Sequence, residues 1–224
     1  RLAQLMENLW TGRNQRGFLQ FKSTYFNVDR VHPDPQKACD TPYHVRAVLP
    51  ALLYWLRTGD DQVGRLLSDW MCTWVDAAAR SENGKPAGVL PAGLHWPEGT
   101  IGGLSPAWWD PQNHGEPTLY QWPSAMSGLT DALLLTYHLT RDEKYLAPIR
   151  SMARMALQHA GKPAGGETIS GSEAWCAARM GFLRGTLAKY RVLTGDDAFD
   201  RLLSGGPSPV LNMHLTGDRG PLVT

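Results

Sequence analysis

The stretch Tyr54-Trp55-Leu56-Arg57-Thr58-Gly59-Asp60-Asp61-Gln62-Val63 recurs without a gap as Tyr190-Arg191-Val192-Leu193-Thr194-Gly195-Asp196-Asp197-Ala198-Phe199. Tyr137 to Tyr145, containing Thr140-Arg141-Asp142-Glu143, reads as a looser copy one residue shorter. Each copy lies between two segments of helical periodicity, so each joins helix to helix. Gly59 and Gly195 suit the left-handed conformation that ends a helix, Asp60 and Asp196 suit the cap of the next, and Asp61 and Asp197 suit its positive end. The predicted unit is a tight helical hairpin, and its recurrence marks an internal repeat.

Working outward, the helix after the first connector carries Val63, Leu66, Leu67, Trp70, Met71, Trp74, Val75 and Ala78 on one face. The helix before it carries Val45, Val48, Leu49, Leu52, Leu53 and Leu56 around Pro50, and reads as one kinked helix or as a shorter one opening near that proline. Further helical stripes are Met126, Leu129, Leu133, Leu134 and Tyr137; Tyr145, Leu146, Ile149, Met152, Ala153 and Leu157; Trp175, Met180, Leu183, Leu187 and Tyr190; and a short Phe199, Leu202 and Leu203. No strand period is sustained, so the expected fold class is all-α. Helical hairpins are expected over residues 1–204, with an unpatterned tail or the start of a following region at 205–224.

Composition bounds the function. The 224 residues hold 22 Lys+Arg against 21 Asp+Glu, a formal charge of +1, which offers no long-range field for nucleic acid or an anionic membrane surface. Apolar residues make up 42% and charged residues 19%, with nine Trp, enough for a real core. At ~150 residues per domain this is one to two domains, and no segment approaches the ~18 apolar residues of a membrane span. Cys39, Cys72 and Cys176 are odd in number and widely spaced, so neither a disulfide framework nor a structural zinc site is written. The chain opens at Arg1 inside an amphipathic pattern (Leu2, Leu5, Met6, Leu9) and reads as an internal fragment of a longer protein, with no signal peptide visible. The compartment is therefore open, secreted or periplasmic if the substrate is a polysaccharide.

Residues 82–121 hold seven Gly and six Pro in forty positions without a period, a length that is usually functional or disordered. Trp96, Trp108 and Trp109 within it, with Tyr120 and Trp122 at its exit, weigh against disorder. Short turns on one side and long loops (82–121 and 12–42, with a shorter Gly-rich loop at 161–171) on the other suggest one functional face. Indole faces cover the apolar faces of sugar rings, while carboxylates, amides and imidazoles bond hydroxyls or move protons. This is the composition of a sugar site, with Trp96, Trp108, Trp109, Trp122, His95 and Glu98 as substrate contacts. For the three loop tryptophans the alternative is that they fold the loop onto the helices.

Glycosidic hydrolysis needs two carboxyl groups, for which Glu98, Asp110, Glu116, Asp40 and Glu173 are candidates. Asp40-Thr41-Pro42 also reads as a helix start, and Glu173 after Ser172 as a first-turn acid on the helix dipole. β-Elimination of a uronate needs a group that neutralises the carboxylate, a base and an acid, roles that suit Asn113, His114 and Tyr120. The candidate catalytic set is thus His114, Glu116, Asp110, Asn113 and Tyr120. His44 lies one turn after Asp40, as a pocket pair or a plain i,i+4 contact, and both join the candidate substrate contacts with Glu173. No H-x-x-x-H, H-E-x-x-H, phosphate-binding glycine loop or G-x-S-x-G elbow occurs, so no metal and no cofactor is expected.

The hairpins, their Tyr-x-x-x-Thr-Gly-Asp-Asp connectors and the aromatic loop resemble the six-hairpin (α/α) toroid superfamily of glycoside hydrolases and polysaccharide lyases, over about residues 42–204. The resemblance implies an inner ring of helices alternating with an outer one and a sugar cleft built by the long loops at one end. It also implies that the chain is incomplete, since about three hairpins are half of a closed ring. The implied activity is cleavage of glycosidic bonds in an oligo- or polysaccharide, hydrolysis ahead of elimination. The competing expectation is a helical-repeat scaffold that binds protein or glycan without chemistry.

Overall fold

The computed structural model describes residues 2–26, 31–112, 119–161 and 168–203. The chain begins with α1 (Leu2–Leu5), a π-helical turn (Met6–Trp10) and a hairpin of β1 (Thr11–Arg13) with β2 (Leu19–Phe21). β3 (Cys39–Asp40) and a 3-10 turn (Pro42–His44) lead into α2 (Val45–Thr58) and α3 (Asp61–Ala79). Within residues 82–121, β4 (Leu94–His95) pairs antiparallel with both β3 and β5 (Thr100–Ile101). Then follow α4 (Met126–Thr140), a 3-10 turn (Glu143–Leu146) with α5 (Ala147–His159), the short α6 (Glu173–Ala177), α7 (Leu183–Thr194) and α8 (Asp200–Leu203).

The fold is therefore mostly helical but not all-α, a correction to the expected class: two small antiparallel sheets are present among the described residues. Strands of two or three residues are too short for a period of two to be read in the sequence.

The connectors form as their residue types dictate. Gly59 and Gly195 are left-handed (φ 67° and 74°), and Asp60 accepts from the Gln62 and Val63 amides at 3.0 Å, as Asp196 does from Ala198. Thr58 Oγ1 donates to Tyr54 O and Thr194 Oγ1 to Tyr190 O, each at 2.8 Å. Thr140 Oγ1 makes the same bond to Thr136 O, so the third copy aligns on Thr136 rather than Tyr137 and is as long as the others. Its difference is Arg141, left-handed at φ 60° where the other copies place glycine.

Two expected helices are subdivided. Pro148 has no N–H to close an α-turn onto Lys144, so the Tyr145–Leu157 stripe opens as 3-10 and becomes α-helical only at Ala147. The Trp175–Tyr190 stripe breaks at Arg179, whose backbone leaves the helical region (φ −110°, ψ 4°), just before Gly181. Around Pro50 the outcome is one helix, with the proline inside α2.

Packing sorts the helices into two layers, α2 beside α4 beside α7, backed by α3, α5 and α8. Leu52 and Trp55 of α2, Leu67, Trp70, Met71 and Trp74 of α3, Leu129 and Leu133 of α4, and Ile149 and Met152 of α5 make one continuous core between the layers. The β1–β2 hairpin lies against α3, held by Thr73 Oγ1 on Leu19 O and by the Arg13–Asp69 and Arg16–Asp76 ion pairs.

Candidate functional site

The three helices of the first layer run the same way. Tyr43 OH meets Ser124 Oγ at 2.9 Å just ahead of α2 and α4, and Thr130 and Asp131 in the first half of α4 bond Thr186 and Lys189 in the first half of α7. The Gly-Asp connectors consequently share one end of the molecule. The starts of α2, α4 and α6 share the other with the end of α3, and there the long segments gather.

At that end the tryptophans form a cluster. Trp108, 0% exposed, packs edge-on against Trp109, Trp122 and Trp175 at 5.8–6.4 Å between centroids, and Trp122 tilts against Trp175 at 5.4 Å. The indole N–H of Trp108 donates to Gly171 O (3.2 Å) and that of Trp122 to Leu90 O (2.9 Å). With faces and donors committed inside, these two side chains fold the loop onto the helices and offer no surface to a sugar, a correction to their expected place as substrate contacts. Trp109 stays half-buried on the outer side of the cluster.

Asp110 follows directly. Its carboxylate accepts from the Gln112 amide (3.0 Å) and Gln121 Nε2 (2.9 Å) while remaining half-buried, and Tyr120 packs edge-on against Tyr43 at 4.9 Å. Arg179 lies 4.2 Å above the Trp175 ring and donates to Trp175 O at 3.3 Å. Glu173 opens α6 in the open, where Ser172 Oγ caps by accepting from the Trp175 amide (3.3 Å). Asn113, His114 and Glu116 lie outside the described residues. Tyr43, Gln121, Ser124 and Arg179 were not singled out from sequence; their one legible signal is a position just before a helix or next to an aromatic residue.

The remaining candidates stand apart from this group. His95 Nδ1 meets Glu98 Oε2 at 2.9 Å across the β4–β5 turn, and Trp96 is half-buried with its ring over Gly12 of β1. Asp40 and His44 do make the i,i+4 contact, Nδ1 to Oδ1 at 2.6 Å, but at 0% and 3% exposure. Asp40 Oδ2 accepts from the Phe21 amide and Trp70 Nε1, both at 3.0 Å, and the Phe21 ring stacks on His44 at 4.2 Å. The pair belongs to the interior rather than to a pocket, and Asp40 ends a strand rather than opening a helix.

Beneath the cluster, Lys85 is 1% exposed and donates from Nζ to the carbonyls of Ala78 (3.0 Å), Pro86 (2.8 Å) and Val89 (2.7 Å). Burial pushes its ammonium down to about 7, and pushes the nearby Cys176 thiol up to about 12, which makes that cysteine a poor nucleophile. Among the described residues no three His, Cys, Asp or Glu side chains converge on a metal position, and no helix is long and apolar enough to cross a membrane. No family model, curated protein or solved structure matches the chain.

Proposed function

We propose that the chain is a segment of an (α/α) toroid that cleaves glycosidic bonds in an oligo- or polysaccharide by hydrolysis, with Asp110 as one of the two carboxyl groups. The observation that carries this reading is a half-buried carboxylate, Asp110, held by Gln121 and following the half-buried Trp109 in the chain, with the half-buried Tyr120 next to Gln121, at the end opposite the short connectors. An aromatic face and an oriented carboxylate at the rim of a rigid helical layer are the parts a sugar site uses. Glu116, six residues further on, is the candidate second carboxyl.

β-Elimination on a uronate-containing glycan is the second reading, and Arg179 favours it. Its guanidinium lies over Trp175 and has no carboxylate partner among the described residues, as a group that neutralises a uronate requires. Tyr120, with Asn113 and His114, then supplies the proton transfers.

Mass spectrometry of products from neutral and uronate polysaccharides separates these readings. Hydrolysis adds one water per cut and elimination leaves a double bond without it; a chain that binds but cuts nothing is the scaffold. Under the hydrolytic reading Asp110→Asn, which keeps an acceptor for Gln121, lowers turnover by ~10²-fold or more at an unchanged thermal midpoint. Full turnover in that variant overturns the assignment of Asp110.

A further inference from the structure

At the loop end, Asp110 lies in the middle of a continuous run of contacts. On one side Trp109 precedes it in the chain and meets Trp175 at 5.9 Å between centroids, and Arg179 lies 4.2 Å above the Trp175 ring. On the other side Gln121 Nε2 donates to its carboxylate at 2.9 Å, the neighbouring Tyr120 packs on Tyr43 at 4.9 Å, and Arg46 lies 5.6 Å over the Tyr43 ring. The run thus has a carboxylate at its middle and a guanidinium seated on an aromatic ring at each end.

The helical layer sets the spacing. α2, α4 and α7 lie side by side in that order; Arg46 is in the first turn of α2, residues 120 and 121 lead into α4, and Arg179 leads into α7. At ~9 Å between neighbouring axes, the heads of α2 and α7 are ~18 Å apart, with Asp110 held at the head of the helix between them. Both arginines are exposed, and neither has a carboxylate partner among the described residues. The acids nearest in the layer do not serve them: Asp131 pairs with Lys189 at 2.5 Å, and Glu173, exposed at the head of α6, makes no ion pair. A guanidinium stacked on a ring directs its fork of N–H donors at a partner, and that fork matches the oxygens of a carboxylate or a sulfate. A single acidic sugar reaches one arginine, and a neutral glycan leaves both without an anion. A nucleic acid, whose affinity rests on a basic field, meets a chain of formal charge +1.

We propose that this end binds an acidic polysaccharide, gripped by Arg46 and Arg179 through anionic groups on sugar units to either side of the bond presented to Asp110. The inference rests on the carbohydrate reading above and gives that site its substrate class, for hydrolysis and elimination alike. Isothermal titration calorimetry of the whole chain with polygalacturonate, hyaluronate, dextran sulfate and fully methyl-esterified polygalacturonate is the test. At least one of the three acidic polymers binds, and more tightly than the neutral ester. Its affinity falls about tenfold in Arg46→Gln and in Arg179→Gln, and by about the product in the double variant. Arg57→Gln, at the far end of α2, leaves it unchanged. Binding of the uronate polymers alone identifies the anion as a carboxylate, and of dextran sulfate alone as a sulfate. If Arg179→Gln lowers the thermal midpoint, Arg179→Lys, which keeps the charge and loses the fork, carries the test with a smaller loss in the same direction. No binding of any acidic polymer, equal binding of the neutral ester, arginine variants as tight as the native chain, or single-stranded DNA bound more tightly than any glycan overturns the proposal. An acidic polymer bound through both arginines but left uncut sinks the cleavage reading alone. A neutral polymer cut at full rate by both arginine variants sinks this proposal alone.

Discussion

The Asp40 carboxylate ties the first 26 residues to the first helical hairpin. It accepts from the backbone of β2 and from the Trp70 indole of α3 and pairs with His44 at the head of α2. His44 Nδ1 lies 2.6 Å from Asp40 Oδ1 and 3.3 Å from the Thr41 amide, and its buried Nε2 has no partner among the described residues. Removing the carboxylate strands the Phe21 amide and the Trp70 indole N–H in the core and takes away the Asp40 partner of His44. Asp40→Ala should therefore lose about 3–5 kcal/mol in urea unfolding, and a loss under 1 kcal/mol would show that the contacts are not maintained in solution. Lys85 makes a second prediction. Between the folded value of about 7 and the ordinary 10.5, the unfolded chain holds a proton that the folded chain has released, so stability contributed by this group rises with pH across that window. The difference in unfolding free energy between the native chain and Lys85→Met should change with pH there, and a pH-independent difference would refute it. The spacing of Asp40 and His44 was readable from sequence and their contact follows from it; their burial was not, because it depends on residues 2–26 folding over them.

At the scale of the element, the connectors show what local sequence can specify. Glycine encodes a backbone conformation and aspartate encodes a cap, so two copies are legible residue by residue. In the third, Tyr137 imitates the tyrosine of the other copies in sequence, whereas the hydrogen bonds assign that place to Thr136. Arg141 at φ 60° holds a conformation in which a side chain is strained by about 1 kcal/mol, so Arg141→Gly should raise stability by ~0.5–1 kcal/mol. Gly59→Ala should lower it by a similar amount, and both are measurable as shifts of the urea midpoint at constant slope. The strands were beyond such a reading: β3, β4 and β5 have two residues each and exist because pairing across distant parts of the chain satisfies their backbone groups.

At the scale of the molecule, the division between a turn end and a loop end was legible from connector lengths alone, since helices joined by tight turns must return to the same level. What the sequence could not divide was the loop itself. Trp108 and Trp109 are adjacent and chemically identical, yet one is sealed in the core and the other stays half-buried at its edge, a distinction that depends on two distant parts of the chain: Trp122, which packs on Trp108, and the Gly171–Trp175 stretch, whose Gly171 carbonyl takes the Trp108 indole N–H. Residues 82–121 thus contribute Val89, Leu90, Leu94, Ile101 and Trp108 to the common core and Asp110 to the open end. Such a segment is not an exchangeable cassette. Any change to the open end must be written into a stretch that also holds the helices together, so an altered surface and retained foldability have to be selected together, residue by residue, rather than grafted as a block.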